Sequence, residues 1–237
     1  MDPSIITNIT NNIIITHVTN NTIIATTLLA ITDSINPCTL AVQLALLASL
    51  LTAKGRRSVL LGGILFSITI YIMYTLYGLG ILKVIYTLGI DHLLRYILKG
   101  LLIVLASLEI LAYFHYRPGM VSLEMPLRLR PIARKILSSV NNPLTALPAA
   151  VLCSVLLLPC SSGPYLAMLM MIGTMEQYKQ LLWILYYNIW FILPMILITL
   201  LVYFGLKPQK VTEWRKKHIK ELHLIAGLLL LLVFFMV

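Results

Sequence analysis

Beyond about residue 22, this chain is written as apolar runs of membrane-span length, with most of its charge in the short segments between them. The runs cover about 23–51, 59–82, 97–114, 144–173, 181–205 and 222–237. A helix that crosses a bilayer needs roughly 20 such residues. Of the 237 residues, 59% are hydrophobic and only 11% charged, and the mean hydropathy is +0.93. A soluble domain carries about a quarter of its residues charged, so the composition excludes one. The expected class is all-α, a polytopic membrane protein with six transmembrane helices.

The net charge of +10 does not point to nucleic acid. Its Lys and Arg residues stand in short runs between apolar segments, with no face of interleaved aromatic and basic residues. Fourteen of the eighteen Lys and Arg residues fall in the first, third and fifth loops, and four in the second and fourth. Basic loops stay in the cytoplasm, so both termini are expected outside, with the chain in the cell membrane and the lipid bilayer as its surroundings. Residues 1–22 read as an extracytoplasmic polar tail rich in Asn and Thr, whose two glycosylation sequons are what chance produces there. Residues 23–114 read as a first three-helix repeat, 115–143 as a cytoplasmic loop, and 144–237 as a second three-helix repeat. Three helices is an odd number, so the second repeat starts on the opposite side. The halves are then inverted repeats, whose broken helices meet near the midplane.

Each half opens on a long apolar run interrupted by a proline–cysteine step: Asn36-Pro37-Cys38, then Pro159-Cys160. Proline removes an N–H and clashes with the preceding turn, so it ends or kinks a helix. At the first turn of a new half-helix its missing N–H costs nothing. The cysteine that follows then lies where unpaired N–H groups and the helix dipole favour a thiolate, against the opposing effect of hydrocarbon. Gly163 and Pro164 follow the second step, and Pro164 removes the N–H that would bond the carbonyl of Cys160. Pro37, Pro159, Gly163 and Pro164 are therefore the expected breaks or hinges, and the second break is expected to be the looser. A buried cysteine or a kinking proline is ordinary by itself. Two matched steps in corresponding places point to one redox pair, Cys38 with Cys160.

Other polar residues in the runs are weighed the same way, since an ionisable group in the bilayer suggests function. Asn36 and Gln43 are candidates to line a cavity. Asp33, just before the first break, is a functional candidate on that rule, with the outer interface or a cap on the next half-helix as the alternatives. Glu109 is expected to reach water near the end of its helix, and Asn188 to bond a neighbouring helix. Tyr71, Tyr74 and Tyr77 share one helical face and read as packing. Cys153, seven residues before Cys160, reads as a small packing residue, with a resolving thiol as the alternative. The histidines are scattered, and His218 and His223, five positions apart, are poorly spaced for a shared metal, so no metal or cofactor is expected.

Around Asn36-Pro37-Cys38 and Pro159-Cys160-Ser161-Ser162-Gly163-Pro164 the chain resembles the CcdA family of cytochrome c biogenesis proteins and the related membrane domain of DsbD. The likeness covers residue 23 to the end. Where many relatives place a second proline after the first cysteine, this chain has Thr39-Leu40-Ala41-Val42. The resemblance implies a thiol–disulfide oxidoreductase that carries electrons across the membrane. Cytoplasmic thioredoxin would reduce the Cys38/Cys160 pair. The pair, exposed alternately to each side, would reduce an extracytoplasmic thioredoxin-like protein that supports cytochrome c maturation. The alternative from another class is an inverted-repeat transporter of a small solute or metal ion.

Overall fold

A backbone in hydrocarbon has no water to bond, so apolar runs coil into helices that satisfy their own N–H and C=O groups. The computed structural model describes residues 21–88, 91–114 and 130–236, apart from several side chains within helices, among them Pro37, Pro159 and Cys160. Among the described residues every regular element is helical. Helix α1 is Asn21–Ser34, and α2 (Pro37–Lys54), α3 (Arg56–Leu88) and α4 (Asp91–Phe114) follow. After α5 (Arg130–Ser138) and a 3-10 turn at Pro143–Thr145 come α6 (Ala146–Ile172), α7 (Gln177–Tyr203), α8 (Pro208–Lys217) and α9 (Ile219–Met236). Residues 1–20 of the expected tail and 115–129 of the expected third loop lie outside the described residues.

Two helices are each long and apolar enough to cross a bilayer: α3 over Arg56–Val84, and α7. Three further pairs qualify if each bent pair is one span. These are α1 with α2, bent by 49°; the two parts of the Pro143–Ile172 segment, bent by 79°; and α8 with α9, bent by 66°. The described residues thus hold two to five candidate spans. The third expected run, 97–114, is the C-terminal part of α4 and is not among them. The 115–143 segment is not loop throughout, because α5 forms within it. That helix buries Ala133 and Leu137, one turn apart, and exposes Arg134 and Lys135.

The α2–α3 connection is one residue, Gly55, at φ +79°. A side chain would be strained there, so glycine makes this tight reversal possible. Pro194 sits inside α7 without ending it. A proline in these runs therefore does not by itself break a helix.

Helix α3 packs along both α7 and α6, α4 along α9, and α5 and α8 both against α2. In lipid, apolar burial between helices gives no net drive, so close contact and interhelical hydrogen bonds hold them together. Tyr74 is fully buried and stacks on Phe191 with ring centroids 4.9 Å apart, while Tyr165 meets it edge-on at 5.6 Å. Asn188 donates to Thr75 at 3.0 Å, and the Tyr77 and Ser154 hydroxyls are 2.9 Å apart. Such bonds contribute about 0.6 kcal/mol each, so these pairs set helix register more than total stability.

Candidate functional site

The first break is closed by its own sequence. Asn36 leaves the helical region (φ −55°, ψ 126°), and its Oδ1 accepts the Cys38 N–H at 3.0 Å. Pro37 opens α2 as its first residue, where no N–H is needed. Cys38 falls in the first turn of α2, with its own N–H taken by the Asn36 cap. Its side chain is 7% exposed and faces a cavity of about 590 Å³.

That cavity runs along α2 from Cys38 to Ala48, about 15 Å at 1.5 Å per residue. Ala41, Ala45 and Ala48 form its floor, and their small side chains leave the space open. Helices α5 and α8 supply the walls, with Ala133 and Leu137 from one and Gln209 and Thr212 from the other. Arg134, Arg215 and Lys216 also line it, against one acidic residue, Glu213.

The second break lies between Leu158 and Ser161, where the axis turns by 79°. Ser161, Gly163 and Pro164 are buried. A side chain at Gly163 would have its Cβ 2.6 Å from Leu105 Cδ1, so glycine lets α4 lie close to α6. The Cys160 side chain is outside the described residues. The two breaks nevertheless adjoin. Asn36 from the first and Pro164 from the second line one small void, with Thr32, Ile35, Glu109 and His223. It measures about 10 Å³, near the lower limit for a single water.

Glu109 does not reach water, contrary to expectation. It is 3% exposed, and its Oε2 is 2.5 Å from Nδ1 of His223, itself 1% exposed. Packing of α9 on α4 encloses the carboxyl. Gly227 permits that contact, since a Cβ there would lie 2.8 Å from Ile110 and 3.2 Å from the Ala106 carbonyl oxygen. Asp33 is neither interfacial nor the cap, which leaves the reading as an ionisable group inside the helices. It is fully buried and accepts a hydrogen bond from the Tyr187 hydroxyl at 3.0 Å. Ser161, next to Cys160 in sequence, stands beside the same carboxyl without closing a hydrogen bond to it.

Gln43 is buried away from the large cavity and donates to Thr199 Oγ1 at 2.7 Å and to the Met195 carbonyl at 3.3 Å. Cys153 is fully buried within α6. Among the described residues, no three His, Cys, Asp or Glu side chains gather as a metal site would require. Reading the sequence missed the Glu109–His223 pair and the Tyr187 partner of Asp33. The available signal was the rule that a charged group inside a span needs a named partner, which separations of 114 and 154 residues conceal.

The arrangement offers a thiol at a capped helix start, reachable through a cavity, beside a second proline–cysteine break and two buried carboxyl groups. No family model matches this chain, and comparison with curated proteins and with solved structures returned no match.

Proposed function

We propose that this protein is a transmembrane thiol–disulfide exchanger of the CcdA type, with Cys38 and Cys160 as its redox pair. The observation that carries the reading is the position of Cys38, at a capped helix start on an open cavity, in a break that shares a void with the second break. Electrons pass as thiol exchange. A dithiol donor on the cytoplasmic side, thioredoxin in this reading, attacks the Cys38–Cys160 disulfide and leaves oxidised. The resulting dithiol then attacks the disulfide of an extracytoplasmic thioredoxin-like protein, which supports cytochrome c maturation. Each transfer moves two electrons and two protons and needs no cofactor. A folded protein cannot enter the bilayer, so the pair is exposed alternately to the two sides, with Pro37, Pro159, Gly163 and Pro164 at the moving joints.

The architecture in this reading is six spans in two inverted triplets, in the cell membrane, with both termini extracytoplasmic. Packing of α3 on α7 and of α4 on α9 supports it. These pairs join the second helix of one half to the second of the other, and the third to the third, an arrangement that a pseudo-twofold axis in the membrane plane allows. The sixth span is then α4, and the basic face carrying α5 and α8 is cytoplasmic.

The test is thioredoxin-dependent electron transfer in reconstituted vesicles, comparing wild type with Cys38→Ser and Cys160→Ser. Each single replacement is expected to abolish transfer, and one of them to trap a mixed disulfide with the donor. Normal transfer in both variants would sink the reading. Solute uptake that survives replacement of both cysteines would install the inverted-repeat transporter in its place.

A further inference from the structure

We propose that the cavity on Cys38 is a binding site for a small anionic thiol, a carboxylate- or phosphate-bearing molecule of low molecular weight that serves as a second electron donor beside the dithiol protein. Its redox consequence rests on the exchanger reading above; the site does not.

Size is the first argument. About 590 Å³ lies within the range of small-ligand pockets, roughly 300–1,000 Å³. It is far below a folded domain, of which only a loop tip would enter. Shape is the second. Ala41, Ala45 and Ala48 make an apolar floor leading to Cys38, which suits a slender ligand lying along α2 with its sulfur toward the thiol. Charge is the third. Arg134, Arg215 and Lys216 against Glu213 leave the lining two positive charges in excess. A cleft lined by one sign of charge concentrates the opposite ion, and low-dielectric walls strengthen the effect.

The chemistry balances without another reactant. The ligand thiolate attacks Cys38 Sγ in the Cys38–Cys160 disulfide. Cys160 leaves as a thiolate and takes the proton that the ligand thiol gave up. A second ligand thiolate attacks the ligand sulfur of the mixed disulfide, and Cys38 leaves and is protonated in turn. Two ligand thiols become one ligand disulfide, and two electrons enter the protein pair.

The site is tested first without redox turnover. In the full chain carrying Cys153→Ala and Cys160→Ser, Cys38 is labelled from the basic side with two methanethiosulfonates. One carries a sulfonate and the other a trimethylammonium group, and each rate is divided by its rate with free cysteine. The sulfonate is expected to be favoured about tenfold, the low end of electrostatic focusing. Arg134→Glu with Lys216→Glu is expected to abolish or reverse that preference, and Arg134→Gln with Lys216→Gln to weaken it should the reversal fail to fold. Equal rates, a cationic preference, no labelling, or a preference indifferent to these charges would overturn the site.

The donor is tested second, by reducing the oxidised full chain with glutathione, cysteamine and dithiothreitol. Faster reduction by glutathione than by cysteamine, lost in the charge variants, is the expected result. Should dithiothreitol reduce the pair while glutathione does not, the donor proposal fails and the exchanger reading stands. Should Cys38 label with the anionic preference while no thiol reduces the protein, the exchanger reading fails instead, and the thiol donor with it.

Discussion

The first break bends the chain by 49° and the second by 79°, and their surroundings differ more than their angles. At the first, Asn36 supplies a cap two residues from Cys38, and the side chain of Cys38 faces a cavity. At the second, Ser161, Gly163 and Pro164 are buried against neighbouring helices, with Leu105 seated where a side chain of residue 163 would be. The first break is thus a local device, built from adjacent residues and open to a ligand. The second depends on its neighbours. A sharp bend does not by itself mean freedom to move: Pro164 removes a backbone bond, yet it is buried and the only void it lines among the described cavities is about 10 Å³.

Four measurements would break or sharpen that contrast. The largest effect is expected from Glu109→Ala. Removing one partner of a buried hydrogen bond costs about 1–3 kcal/mol, and more where a charged group is involved. Glu109 and His223 line the void that joins the breaks, so both should loosen. Unfolding in mild detergent checks the stability, and alkylation of Cys38 checks the break; a loss below about 1 kcal/mol would mean the pair is not what holds α4 to α9. Gly163→Val comes next, at about 1–3 kcal/mol for overpacking against Leu105, read by the same unfolding assay. Asn36→Ala should cost about 1 kcal/mol, the usual worth of an N-cap, with faster alkylation of Cys38 and no change around α6. If Asn36→Ala proves costlier than Gly163→Val, the first break is the structural one and the contrast is inverted.

The smallest effect serves as a reference outside both breaks. Glu176 and Lys179 form an exposed pair at 3.0 Å, and the Lys179 ammonium holds the Glu176 carboxyl below its ordinary range. Any stability from this pair is present above that ordinary range and is lost as pH falls through the lowered value in the folded protein. Exposed pairs contribute little. Melting curves of Lys179→Ala and wild type are therefore expected to overlay across pH, and a clear separation would show that the connector matters.

The local features of the candidate site could be read from the sequence. Pro37 at a helix start, Cys38 in its first turn and a bend at Pro159 follow from what proline does to the backbone within a few residues. Asn36 reads from the sequence as a cavity residue; it lines the small void and also caps α2. Gln43 was a reasonable cavity candidate, but its amide bonds α7 instead, because the side of α2 it occupies packs inward. Glu109 lies near a run's end, where an acidic residue looks solvated until another helix covers it, as α9 does here. The amphipathic character of α5 was present in Ala133 and Leu137, but prolines and arginines around it made the whole segment look like loop.

From residue order alone came the helical class, the apolar runs and the proline breaks, because hydrocarbon and proline act on a chain through its immediate neighbours. Tertiary structure alone decided that Asp33 meets Tyr187, that Glu109 meets His223, and that α2, α5 and α8 enclose a cavity with Cys38 on its wall. Those contacts join distant parts of the chain, and nothing in local helix propensity selects one distant partner over another. Packing does, through the small residues that let particular helices approach.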